Sequence, residues 1–154
     1  MDHLVELFAN PAAKAVENAF AGTVMMRMLI IDADLVSRKK IQRIFKHLGD
    51  SVAVSDGEAG LESFRQAWQR DEPFDLICLD VNVSGLAWQD SLAAIRQMED
   101  DMELGSLARV KVVMVSSLSD PASVAEAKAA GCDDYIVKPI NPQAFLERID
   151  RLFP

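Results

Sequence analysis

The chain has 154 residues, half of them apolar and 26% charged, with 7 Gly and 6 Pro, a balance that builds one compact core and excludes a disordered or fibrous chain. Its 24 acids against 16 bases leave a formal charge of −8, which repels phosphate backbones and anionic lipid, so nucleic acid is not expected as a direct partner. No apolar run reaches the ~20 residues of a membrane span, and residues 1–24 carry acids where a signal peptide has a basic start; Cys78 and Cys132 lack metal-ligand or redox spacing, so a cytoplasmic protein without membrane association is expected.

Residues 1–27 read as an N-terminal helical extension, with Leu4, Leu7 and Phe8, then Val16 and Phe20, forming two short helical stripes before Gly22. From Met28 to Pro154 short apolar runs alternate with segments of helical period, which predicts an α/β domain built on a doubly wound, five-stranded parallel sheet. The predicted strands are MLIID at 28–32, SVAVS at 51–55, FDLICLD at 74–80, VKVVMVSS at 110–117 and DYIVK at 134–138. Runs as uniformly apolar as VKVVMV suit strands buried on both faces. Ile41, Ile44, Phe45 and Leu48 give the first helix its stripe, with Asp34 as N-cap and Gly49 just past its end. Leu61, Phe64 and Trp68 define a second helix, Leu92 and Ile95 a third, and Phe145, Leu146, Ile149 and Leu152 a last one. The segment from Ala122 to Ala130 offers little beyond alanine and one valine, so its helix is expected to be loosely held. Asn10-Pro11, Asp120-Pro121 and Asn141-Pro142 place a polar cap before a proline at three helix starts. EDDMELG at 99–105 reads as a solvated acidic loop, and His3 and His47 as surface residues.

In open parallel sheets ligands bind beyond the carboxyl ends of the strands, where Asp32, Asp80, Ser116 and Lys138 all fall. A carboxylate closing a strand as apolar as LICLD needs a cation or donor opposite it, and Lys138 and a metal ion are the natural partners. Arg38, Lys39, Lys40, Arg43 and Lys46 make the first helix basic, either as a solvated face or as a docking site, and Trp88 is expected to pack its own helix.

IID at 30–32, LICLDVN at 76–82, VVMVSS at 112–117 and DYIVKPI at 134–140 together resemble a response-regulator receiver domain, over about residues 28–153 and nearest to single-domain, chemotaxis-type CheY-like members. The resemblance implies a flavodoxin-like sheet in the order 2-1-3-4-5 and phosphoryl transfer from a histidine kinase or histidine phosphotransfer protein to Asp80. It further implies Mg²⁺ held by Asp32, Asp80 and the backbone carbonyl of Asn82, with Lys138 and Ser116 stabilising the phosphoryl oxygens. Tyr135 resembles the family's switch aromatic, its ring moving inward as Ser116 is drawn to the phosphoryl group and so reshaping a face for a downstream protein target.

Three features depart from the family pattern. Ala33 stands where a second acid normally ligates the metal, so Mg²⁺ binding is expected to be weakened, with water in the gap and Asp34 spent on capping the first helix. VSGLAW at 83–88 replaces a loop that usually carries Pro and Asp-Gly, and Leu118 replaces a polar residue, which predicts a long-lived phosphoryl group. Two rival readings remain open. One is a phosphorylation-independent pseudo-receiver that serves as a protein-interaction module. The other is a haloacid dehalogenase-like phosphatase acting through Asp32 and Asp34, which leaves Asp80 unexplained and puts Lys138 after Asp133 and Asp134 in the wrong order. No separate substrate turnover is expected of the receiver itself. With no output domain after Phe153, action by docking is expected, and residues 1–24 either pack back on the domain or mediate a homodimer.

Overall fold

The computed structural model describes residues 25–153. Five parallel strands, β1 (Met26–Ile31), β2 (Gly49–Val54), β3 (Leu76–Asp80), β4 (Lys111–Ser116) and β5 (Asp134–Val137), form one sheet in the order β2-β1-β3-β4-β5. They are linked by α1 (Leu35–Phe45), α2 (Gly57–Gln69), α3 (Trp88–Asp101) and α4 (Pro121–Ala129), and α5 (Pro142–Leu152) closes the domain. The helical extension expected over 1–27 lies, as far as Val24, outside the described residues.

Side-chain alternation along the strands divides the core into two layers. Met28, Ile30, Leu76, Cys78, Val113 and Val115 face α1 and α5, meeting Phe45 and Phe145. Leu29, Ile31, Ile77, Leu79, Val112 and Met114 face the other way, toward Phe64 of α2, Leu92 and Ile95 of α3 and Ala127 of α4. Since both layers grow from the same backbone, the strands need to be apolar at every position, which is what the runs in the sequence express.

The ends of several elements differ from the periodicity. β1 begins at Met26 and not at Met28, because Arg27 interrupts the apolar run yet lies in the strand, its guanidinium 5.4 Å from the Phe74 ring centroid and hydrogen-bonded to Glu72. Gly49 is not the stop of α1. It is the first residue of β2, paired with Met26, where a Cβ would fall 1.8 Å from the Met26 carbonyl oxygen. The acidic stretch 99–105 is also corrected: Glu99–Asp101 are the last turn of α3, and Glu99 is fully buried. Its carboxylate takes hydrogen bonds from Arg96 at 2.7 Å and from the Val110 amide at 2.7 Å, while Arg96 also reaches the Val110 and Gly131 carbonyls and Asp133. This closed polar clamp ties α3 to the start of β4 and to the α4–β5 turn, and it satisfies a charge that solvent cannot reach. α4 is as thinly held as its composition implies, with Ala127 its one buried residue.

Candidate functional site

The strand order puts the carboxyl ends of β1, β3, β4 and β5 side by side around a crevice of about 580 Å³, lined by residues 32–34, 80–82, 116–118 and Lys138. Asp80 is the last residue of β3 and Asp32 follows β1 directly, and both are almost fully buried, at 2% and 1% exposure. Lys138 lies between them, its ammonium donating to Asp80 Oδ2 at 2.5 Å and to Asp32 Oδ2 at 3.2 Å. The other oxygens are held by the chain's own turns: Asp80 Oδ1 accepts from the Asn82 amide at 2.9 Å, and Asp32 Oδ1 from the Asp34 amide at 2.8 Å. The Asn82 carbonyl faces the β1–α1 turn and accepts from the Ala33 amide at 3.3 Å.

The electrostatics follow from one cation serving two buried anions. Burial pushes the Asp32 carboxyl up to about 6, and the neighbouring Asp80 adds to the rise, while the Asp34 amide and Lys138 pull the other way. Burial also works against the Lys138 charge, but its hydrogen bonds and Coulomb attraction to Asp80 and Asp32 outweigh it and hold the ammonium above the ordinary lysine range.

On β4, Ser116 is fully buried, and its Oγ accepts from the Leu118 amide at 3.0 Å, which leaves the hydroxyl hydrogen to donate. The ring of Tyr135 already packs inward, 4% exposed, and its hydroxyl donates to the Leu118 carbonyl at 2.7 Å. Ser116 and Tyr135 thus grip opposite ends of one residue. Asp34 caps the helix: its carboxylate accepts from the Val36 amide and the Ser37 hydroxyl, which draws its pKa below the ordinary value.

Asp32, Asp80 and the Asn82 carbonyl form an all-oxygen, anionic set, the hard donors that Mg²⁺ takes, and two buried carboxylates with a single ammonium leave a further positive charge well placed. The set is thin, and among the described residues no three His, Cys, Asp or Glu side chains are gathered to hold a metal. Ala33 is the gap.

Arg38 has a role the basic-helix pattern did not isolate. Its Nη1 donates to the carbonyls of Asp32 and Ala33 at 2.7 and 3.1 Å and so fixes the β1–α1 turn, whereas Lys39, Arg43 and Lys46 are exposed. The one available signal was its position one turn into α1, where a long cation can fold back onto the preceding loop. Trp88 packs as expected, 8% exposed, at the first position of α3. Among the described residues no helix is long and apolar enough to cross a membrane.

Residues 28–150 match the response regulator receiver domain family. The chain is 34% identical over 123 residues to the transcriptional regulatory protein CseB of Streptomyces coelicolor, covering 79% of this chain and 47% of CseB. It is 28% identical over 130 residues to the chemotaxis protein CheY of Pseudomonas aeruginosa, covering 83% of this chain and 96% of CheY. The chain thus spans about half of the one relative and nearly all of the other. In three dimensions it is similar to the CheX–CheY–BeF₃–Mg²⁺ complex of Borrelia burgdorferi, with a TM-score of 0.70 at 22% identity over 84% of this chain and 90% of that one. A doubly wound sheet in this order, an acid at the end of its third strand and the family match over 28–150 lead to one conclusion: the chain belongs to the response-regulator receiver family, whose members of the CheY type are signalling proteins and not metabolic enzymes.

Proposed function

We propose that Asp80 is the phosphoacceptor of this receiver, taking its phosphoryl group from a phosphohistidine on a histidine kinase or phosphotransfer protein, and that the phosphorylated form signals by docking a downstream protein. The observation that carries this reading is the Lys138 ammonium held between the buried carboxylates of Asp80 and Asp32, beside a buried serine at the end of the adjoining strand.

In the transfer, an Asp80 carboxylate oxygen attacks phosphorus, a P–O bond forms as the P–N bond to the donor imidazole breaks, and the imidazole nitrogen leaves to take up a proton from solvent. Lys138 exchanges part of its contact with Asp80 for a phosphoryl oxygen, and the Ser116 hydroxyl hydrogen donates to another, so both meet charge as it gathers on the transferring group. Asp32, Asp80 and the Asn82 carbonyl would hold Mg²⁺, which when bound supplies charge neutralisation for the approaching anions. With Ala33 contributing no oxygen, affinity for the metal is reduced and water completes the shell.

Ser116 and Tyr135 are coupled through Leu118, whose amide donates to Ser116 Oγ and whose carbonyl accepts from the Tyr135 hydroxyl. Drawing Ser116 toward a phosphoryl oxygen loosens the first bond and so frees the loop that Tyr135 holds at the thinly packed start of α4. Leu118, half exposed and apolar, offers no group to orient an attacking water, which supports slow self-dephosphorylation. The receiver unit runs from β1 through α5, and the segment before it is assigned to docking or homodimerisation; a cytoplasmic location is part of the same proposal, since a phosphohistidine donor and a docked target would have to share the protein's compartment.

Ala33 also favours a second reading, a phosphorylation-independent interaction module. Intact mass after incubation with acetyl phosphate across a Mg²⁺ titration separates the two. The expected result is a single ~80 Da increment, absent in Asp80→Asn and reached at lower Mg²⁺ in Ala33→Asp. An unmodified wild type with an Ala33→Asp variant that becomes modified would overturn phosphoacceptance in favour of the interaction module.

A further inference from the structure

The loop that carries the Asn82 carbonyl lacks the proline and Asp-Gly that would shape it locally, yet it is not loose. Residues 84–86 are stitched to the start of α2: Gly57 donates its amide to the Ser84 carbonyl at 3.0 Å, Ser84 donates to the Ser55 carbonyl at 3.4 Å, and Asp56 and Ser84 form an isolated parallel bridge. The last stitch is a side chain. Glu58 Oε2 accepts from the Leu86 amide at 3.1 Å, and it lies directly over Gly85, where a Cβ would fall 2.2 Å from that oxygen. Gly85 has φ +71°, so both the backbone conformation and the carboxylate above it demand glycine.

We propose that Glu58 is a positioning residue for the metal-binding carbonyl of Asn82, taking over by a contact from α2 the work that turn residues do elsewhere in the family. The inference rests on the reading of Asn82 as a metal ligand. At one end of the loop Asp80 Oδ1 holds the Asn82 amide, and at the other Glu58 holds the Leu86 amide. Between these two anchors the carbonyl of Asn82 is presented toward the Ala33 amide, across the mouth of the crevice. With one carboxylate missing at Ala33, the site depends more heavily on this neutral ligand being in place before the metal arrives, since ordering a free loop would be charged against binding.

The test is a MgCl₂ titration of the full chain followed by the amide resonance of Ala33, the group that donates to the Asn82 carbonyl, with the Mg²⁺ midpoint for acetyl phosphate modification measured in parallel. Wild type should show a saturable Ala33 shift. Glu58→Ala should raise the midpoint about three- to tenfold in both measurements while leaving the modification level at saturating Mg²⁺ unchanged, and Gly85→Ala, which displaces the carboxylate from below, should do the same. Glu58→Gln, uncharged but still an acceptor, should stay within twofold of wild type. A Glu58→Ala midpoint equal to wild type, or a Glu58→Gln midpoint raised as far as that of Glu58→Ala, overturns the proposal, the second outcome assigning the effect to charge. A wild type with no saturable Ala33 shift overturns the metal reading itself, and the positioning role with it.

Discussion

At Asp32 two demands on one carboxylate can be separated by pH. The folded protein keeps its proton up to about pH 6, against 3.8 for the free side chain, because burial and the nearby Asp80 disfavour the charge. Between those values the folded state binds more protons than the unfolded one, so in metal-free protein stability falls as pH rises through this window and the loss is complete above it. Asp32→Asn, measured in the presence of a chelator, is therefore expected to raise the melting temperature at pH 7 and to lose that advantage below about pH 4, where wild-type Asp32 is neutral in both states. No advantage at pH 7 would show that the Lys138 ammonium fully compensates the buried Asp32 charge, and an advantage that persists at pH 3.5 would show that the gain does not come from removing that charge. The residues of this site were legible one by one from their place at strand ends. Their pairing was not: Asp32 and Lys138 are 106 positions apart, and only the folded crevice makes one ammonium serve both carboxylates.

Among the helices, burial separates those that hold the domain from the one that can move. α1, α2, α3 and α5 each bury a large side chain, Phe45, Phe64, Ile95 and Phe145, whereas α4 buries Ala127 alone and is started by Asp120, whose carboxylate caps the Ser123 amide. Hydrogen exchange should find the amides of α4 the fastest among the five described helices, and Leu118→Pro, which deletes the amide bonded to Ser116, should accelerate α4 further while leaving α1 and α5 unchanged. Uniform protection across the helices would remove α4 as the moving part. This helix was readable from its alanines, since weak burial is a matter of composition. The end of α3 was not, because Glu99 reads as one more acid in an acidic run until Arg96, Val110 and Asp133 are brought around it by the packing of α3 on the sheet.

The whole domain is two apolar layers on one sheet, and the layers are not independent, because alternate residues of β1, β3 and β4 belong to opposite clusters. Phe45→Ala in one layer and Phe64→Ala in the other should each cost about 3–5 kcal/mol, and each variant should still unfold in a single transition with the same midpoint by fluorescence and by far-ultraviolet circular dichroism. Separate midpoints for the two probes would mean that the layers unfold apart.

The alternation of apolar runs with helical stripes was enough to determine the parallel sheet, its five strands and the chain order of the acid, hydroxyl and lysine that meet at its edge, because burial on both faces imposes composition directly on the strands. Tertiary structure decided the rest: that Arg27 and Gly49 belong to strands, that Glu99 is buried, that Arg38 clamps the β1–α1 turn, and that Glu58 reaches the loop after Asp80. Each of these is a polar or conformational fact with a partner remote in the fold or a backbone approaching too closely for a side chain. Local periodicity records which face of an element is apolar, and carries no trace of which donor or carbonyl will stand opposite once the layers close.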